Sequence, residues 1–337
     1  MDTLTHTVIG ACLGEAIAGK QLGKKAMLWG AIANNIPDID VATVIWANET
    51  KALLLHRGIT HSIFFAVIFT PLLAFAFKKI YKKYPVSLNQ WLLLFGSGLF
   101  IHIFIDALTT YGTGWFEPFN HSRVSLNTIL ILDPAFMLPV LIAAIALLVL
   151  KQNSLKRKIW WKAGLILSTL YLIFTFINKI KVDKVVEKNL ASQQIRYEDY
   201  MSTPTPLNNF LWYIIARSAG QYYIGYYSLF DKDDTIAFEN ISKNDSLLTE
   251  PCDPEQVKDL KRFSQGYYCA KLENDTINFS DMRFGQVGGW YKKGSPFIFN
   301  FKLSKNCVNK TALQKGRFRS FGKESVKQLF KRIRGKE

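Results

Sequence analysis

His56-Arg57-Gly58-Ile59-Thr60-His61-Ser62 opens directly onto the apolar run Ile63-Phe64-Phe65-Ala66-Val67-Ile68-Phe69. Two imidazoles, a guanidinium and two hydroxyls at the edge of so apolar a segment suit a membrane boundary, where polar groups cluster only if they have partners. Working outward, six apolar stretches appear at roughly 4–19, 26–47, 60–77, 91–109, 129–150 and 159–178. Most approach the ~20 residues needed to cross a hydrocarbon core. The second is interrupted by Asn34-Asn35-Ile36-Pro37-Asp38-Ile39-Asp40, which is tolerable at membrane depth only where it lines a cavity or is covered by protein.

At 337 residues the chain is long enough for two domains. Hydropathy divides it into a membrane domain over 1–180 and a polar, Tyr-, Phe- and Asn-rich domain over 181–337. The net charge of +16 divides evenly, with 16 Lys/Arg against 8 Asp/Glu in the first part and 26 against 18 in the second. In the second part cations and acids are interleaved with no nucleic-acid-binding motif, so anionic lipid or an anionic substrate is the expected partner and nucleic acid is not. No secretory signal precedes the first apolar stretch, so Met1–His6 is expected in the mature chain.

Lys and Arg set the expected orientation. Lys20, Lys24 and Lys25, then Lys78, Lys79, Lys82 and Lys83, then Lys151, Lys156, Arg157 and Lys158 occupy three alternate loops, eleven in all, against Lys51, Arg57 and Arg123 in the others. The three rich loops are expected in the cytoplasm, with the N-terminus and the second domain outside. That assignment, made without the ionisable residues, puts His6, Asp38, Asp40, His56, His61, His102, Asp106 and Asp133 on one side of the membrane. The fold expected is an α-helical polytopic membrane domain of about six segments followed by a small α+β extracytoplasmic domain.

In the second domain a charged helix is expected over about 181–200, a turn at Ser202-Thr203-Pro204-Thr205-Pro206, and a second helical stretch through Leu211, Ile214 and Ile215. Alternation predicts strands around 221–227, 276–279 and 297–301. A basic amphipathic helix is expected over 323–334, with Val326, Leu329, Phe330 and Ile333 at helical spacing. Cys12 reads as a small apolar residue, and Cys252 with Cys269 is the preferred disulfide among Cys252, Cys269 and Cys307.

His102 and Asp106, four apart, share one helix face and suit two ligands of one ion. Gly58 permits a tight turn between His56 and His61, and Asp38 and Asp40 fall on one side if the backbone there is extended. Nitrogen and carboxylate donors without thiolate suit Zn²⁺, Mn²⁺ or Fe²⁺, and the surplus of donors suits an open site or a pair of ions. Plainer readings stand beside this one: an interhelical hydrogen bond for His6, a structural clamp or proton relay for His102 and Asp106, helix capping for Asp38 or Asp40, interfacial anchoring for Arg57, and an exposed loop residue without a clear partner for His121.

Met1-Asp2-x-x-Thr5-His6, Pro37-Asp38-x-Asp40, His56-Arg57-Gly58-x-Thr60-His61-Ser62 and His102-x-x-x-Asp106 together resemble the YdjM-type family of bacterial inner-membrane proteins, described as membrane-bound metal-dependent hydrolases. The resemblance covers residues 1 to about 140. It implies a metal site in a multi-helix domain of the cytoplasmic membrane, distantly similar to zinc-dependent phospholipase C and P1-type nucleases. The expectation is a hydrolase of a phosphoester or lipid. His6, Asp38, Asp40, His56, His61, His102 and Asp106 form its ligand pool for one or two ions, Asp38 or Asp40 acts as general base, and Arg57 meets an anionic group. A cation or proton transporter built on the same residues is the rival, though the opposite membrane half offers only Glu15 and hydroxyls; a metal-stabilised scaffold is the third reading.

Overall fold

The computed structural model describes residues 1–249, 253–274, 276–304, 313–315 and 322–335. Its contacts divide into two units, Met1–Thr43 with Leu55–Phe176, and Val44–Leu54 with Ile177–Glu337.

The first unit is helical, built from α1 (Thr3–Leu22), α2 (Lys24–Ala33), α4 (Ile63–Ile80), α5 (Leu88–Ala107), α6 (Pro134–Val149) and the first part of α7 (Lys156–Ser192). The short α3 (Glu49–Leu55) precedes the opening heptad. Side-chain caps start several helices: Asp2 accepts from the Thr5 amide at 2.9 Å, Ser62 from Phe65 at 3.0 Å, and Asp133 from Ala135 at 3.0 Å. Gly10-x-x-x-Gly14 lets α1 lie against α2, because a Cβ on Gly14 would stand 1.9 Å from the Ala26 carbonyl oxygen and one on Gly10 2.3 Å from that of Gly30. The opposite side of α1 closes a core of Val8, Ile9 and Cys12 with Ile105, Leu108, Phe136 and Val140. A buried fork of Arg157 onto Glu15, at 2.7 and 2.6 Å, joins α1 to α7, and the same guanidinium donates to the Leu147 and Leu150 carbonyls that end α6.

Among the described residues three helices are long and apolar enough to cross a membrane: α4, α5 and α7; α6 is apolar but has only 16 residues. α4 turns Val67, Leu72 and Phe75 outward, the surface hydrocarbon would cover. The interrupted stretch is α2 followed by a 3-10 helix, Pro37–Ile45, rather than the extended backbone considered for Asp38 and Asp40.

The second unit is a β-sheet domain. β1 (Asp199–Pro204), β2 (Leu211–Ser218), β3 (Gln221–Ser228) and β4 (Glu239–Ser242) form one antiparallel meander; β5 (Tyr268–Glu273), β6 (Thr276–Gln286), β7 (Phe297–Ser304) and β8 (Leu313–Lys315) form another. Val182, Val186 and Leu190 of α7 pack on Trp212, Ile214 and Ala216, while Tyr213, Ile215, Tyr222 and Ile224 face Tyr267, Cys269, Met282 and Phe297 of the second sheet. The expected helix through Leu211, Ile214 and Ile215 is therefore strand β2. Helix α7 ends at Ser192 and the expected turn at 202–206 begins inside β1. β2 is buried on both faces, so it shows a continuous apolar run rather than alternation. The strands expected at 221–227, 276–279 and 297–301 are β3, β6 and β7. Helices α8 (Pro254–Phe263) and α9 (Lys323–Ile333) also belong to this unit, as does nearly all of α3. Cys12 and Cys269 are buried free thiols, and Cys252, the expected partner of Cys269, lies outside the described residues, as does Cys307.

Candidate metal centre

Helix α5 presents Gly98, His102 and Asp106 on successive turns of one face. A Cβ on Gly98 would stand 2.8 Å from the Ala33 Cβ and 3.1 Å from the Asn34 amide nitrogen, so glycine lets α5 abut the end of α2. One turn on, His102 Nδ1 donates to the Asn34 carbonyl at 2.5 Å, and the Asn34 side-chain amide donates to the His6 carbonyl at 2.6 Å. Three helices thus meet at one buried asparagine.

The heptad folds around Asp40. One carboxylate oxygen faces His56 Nδ1 at 2.8 Å; the other accepts from the Arg57 amide at 2.9 Å and the Thr60 hydroxyl at 2.7 Å, and lies 3.0 Å from His61 Nδ1. The tight turn falls on Arg57, with φ +59°, and not on Gly58, whose φ is −89°. A non-glycine residue in the left-handed region costs about 1–3 kcal/mol and is held there by its surroundings. Here the Arg57 amide is tied to Asp40 and its carbonyl accepts from Gly114 at 2.8 Å. His56, between α3 and α4, is partly buried, and burial lowers its imidazole from the ordinary value against the opposing pull of Asp40.

Four atoms converge. His61 Nε2 and His102 Nε2 are 3.1 Å apart, and Asp38 Oδ1 is 3.5 Å from each. Asp106 Oδ2 lies 3.4 Å from His61 Nε2 and 3.6 Å from His102 Nε2. The donors of a tetrahedral ion with bonds of 2.0–2.1 Å lie about 3.3–3.4 Å from one another. The tautomers agree with this spacing: a carbonyl and a carboxylate accept from the two Nδ1–H groups, so in neutral rings both Nε2 lone pairs face each other. Such a pair repels unless a proton or cation lies among the four atoms. Asp106 Oδ2 is buried and makes no well-aligned hydrogen bond, its only close cation among the described residues being Arg57 Nε at 3.0 Å. This buried His/Asp cluster could hold a metal ion, and its donor chemistry fits one. Asp38, Asp40 and His56 form a second, adjoining group of donors, with Asp38 common to both.

The profile of the YdjM inner membrane protein family matches residues 1–182, all of the helical unit's site included. The chain belongs to that family. It is also similar to the uncharacterized protein YfhP of Bacillus subtilis (strain 168), 27% identical over 249 residues, which is 67% of this chain and 68% of that protein. It is 29% identical over 122 residues to the inner membrane protein YbcI of Escherichia coli (strain K12), covering 36% of this chain and 69% of that protein. No solved structure matches.

Within this YdjM-family chain His6 stacks on His102, ring centroids 3.8 Å apart, and its Nε2 is 3.1 Å from Asp106 Oδ1, an oxygen the Met1 amine also contacts. Arg57 Nε is 3.0 Å from Asp106 Oδ2, its Nη1 donates to the Thr109 hydroxyl at 2.9 Å, and its guanidinium lies over the Tyr111 ring at 4.9 Å. All seven expected donors and Arg57 are thus in one neighbourhood. Asn34, Thr109, Tyr111 and Arg123, which donates to the His56 carbonyl at 2.9 Å, escaped the sequence reading. Asn34 and Arg123 act through backbone carbonyls, which leave no trace in a motif. His121 is exposed, as expected, and its partner is Glu117 at 2.8 Å.

Proposed function

We propose that this chain is a metal-dependent hydrolase of the bacterial cytoplasmic membrane. The observation that supports it best is the convergence of four donor atoms, three of them on buried residues, at spacings near those of a tetrahedral ion, with both imidazoles engaged through Nδ1 and Nε2 turned inward. Asp38, His61, His102 and Asp106 would hold the ion; Asp38, Asp40 and His56 offer a place for a second. When bound, a divalent ion, Zn²⁺ before Mn²⁺ or Fe²⁺, would supply Lewis-acid polarisation and acidify water. Asp40 already accepts from several donors, so it orients His56 and His61. Asp38 and His56, with 17% and 26% of their side chains exposed, are on the accessible side. Arg57, buried and engaged with Asp106 and Thr109, positions Asp106 instead of meeting an anion from solution. A phosphoester, foremost that of a lipid head group, is the proposed substrate. All six apolar stretches embed in the bilayer, with the site and the β-sheet domain on the outer side.

A second reading, a structural ion in a membrane scaffold, is favoured by one feature: four protein donors already complete a tetrahedron, the habit of closed structural sites. The experiment is to measure the metal content of the purified protein and its His61→Ala and Asp106→Asn variants, then incubate metal-loaded protein with labelled phospholipids. Stoichiometric metal lost in both variants, with metal-dependent product, is expected. Unchanged metal content overturns the site, whereas metal without product across phospholipid classes leaves only the structural reading.

A further inference from the structure

Helix α9 has two faces. One is docked within the β-sheet unit: Leu329 is buried against Leu211 and Trp290, Arg332 forms a fork on Asp231 at 2.6 and 2.8 Å, and the Ile333 carbonyl accepts from Ser228 Oγ at 2.5 Å. Of the apolar stripe that the sequence marks, Leu329 and Ile333 are spent on this docking and Phe330 is left exposed. The other face carries Lys323, Lys327, Phe330 and Arg334, spaced four, three and four apart, each one turn beyond the last, and all exposed. Phe330 is 54% exposed among these cations. The helix's single acid, Glu324, lies to the side and accepts from Gln328 at 2.6 Å.

Neighbouring residues extend the pattern. Tyr291 reaches the N-terminal turn of α9, with its hydroxyl 3.2 Å from Ser325 Oγ, and it is exposed beside exposed Lys292 and Lys293. At the other end Gly335 abuts the Phe230 carbonyl, where a Cβ would stand 2.2 Å away, and the Phe230 side chain is exposed. Phe330 on the helix, with Tyr291 and Phe230 in loops at its two ends, gives three exposed aromatics near lysines and an arginine; Tyr291 and Phe230 also pack on Trp290 and Phe210, whereas Phe330 stands outward from a helix clamped to a sheet. Amphipathic side chains of these types, an aromatic body among long cations, are those that settle at a lipid head-group layer.

We propose that the outer face of α9 and the adjoining Tyr291-Lys292-Lys293 turn form a docking surface for an anionic phospholipid bilayer. Phe330 enters the head-group boundary, and Lys323, Lys327 and Arg334 pair with lipid phosphates. Charge complementarity selects this occupant. The unit is also tethered to the candidate span α7, whose final turns lie in the unit's own core, so it meets a bilayer at high effective concentration.

The test places the photoreactive residue p-benzoylphenylalanine at Phe330 in the full chain, reconstituted in nanodiscs of phosphatidylcholine alone or mixed with phosphatidylglycerol. Illumination is expected to give a phosphatidylglycerol adduct by mass spectrometry in the mixed discs. The yield should fall more than tenfold in a Lys323→Glu/Lys327→Glu/Arg334→Glu variant, since each cation near an anionic surface is worth about fivefold in partitioning. These side chains are exposed, so the variant should melt with its parent, and that measurement separates a lost surface from a lost fold. Equal lipid adducts in both disc types, adducts only with another protein chain, or a yield indifferent to charge reversal would each overturn the proposal.

Discussion

Asp40 shows how one carboxylate can govern a site without occupying its centre. It holds His56 and His61 in register and pins the strained Arg57 backbone. Replacing it by Asn keeps the shape but removes the charge that makes the His61 Nε2 a better donor. Metal affinity should fall about 10–100-fold while the metal still binds, whereas His61→Ala should lose it outright; competitive chelator titration reads both, and equal affinity of Asp40→Asn and parent would contradict the assignment. The motif residues were legible from type and spacing alone, because an ionisable group beside an apolar run is costly unless a partner or a ligand holds it. The proposed division of labour among them was not: which carboxylate would orient and which would coordinate depends on angles between helices. The buried Glu15–Arg157 fork makes the same point at the opposite end of α1, where Arg157 reads in the sequence as one more loop cation. Glu15→Gln should destabilise the protein by about 3–5 kcal/mol, since it strands a buried guanidinium, while the Glu15→Met/Arg157→Met pair should recover most of the loss. Thermal unfolding in detergent measures both, and a double variant no better than the single one would refute this role for the fork.

Elements were readable where a period was expressed and unreadable where burial erased it. α4 and α5 announce themselves as apolar runs with capped starts, and β3 alternates. β2 does not, because Leu211 to Ala216 is covered on one side by α7 and on the other by the second sheet. The first two helices illustrate a different limit: α1 and α2 are not among the helices both long and apolar enough to count as spans, yet Gly10, Gly14 and Gly30 bring their backbones into contact. Gly14→Leu should push α2 away from α1, and with it the Asn34 carbonyl on which His102 depends. We expect a lower melting temperature together with reduced metal binding, although Gly14 lies about two turns along α1 from His6. Normal metal affinity in a folded Gly14→Leu protein would show that the helix crossing does not set the site.

At the scale of the molecule, two chemistries share one chain: a helical unit with outward apolar side chains and a β-sheet unit with an ordinary packed core. α7 belongs to both, apolar over its first part and then donating Val182, Val186 and Leu190 to the sheet. The expected side of the membrane for each polar region rests on charge alone, eleven Lys/Arg in three loops against three in the others. Glu49 and Lys82 sit in loops of opposite assignment, and both are exposed. Cys12 and Cys269 are buried, so labelling is read as the excess over the parent protein. Glu49→Cys should react with a membrane-impermeant maleimide in intact cells, and Lys82→Cys only after permeabilisation. The reverse pattern would turn the His/Asp cluster toward the cytoplasm, because the heptad follows α3 directly in the chain. A hydrolase working on that face would need a different pool of substrate, so this measurement decides which lipids belong in the activity assay.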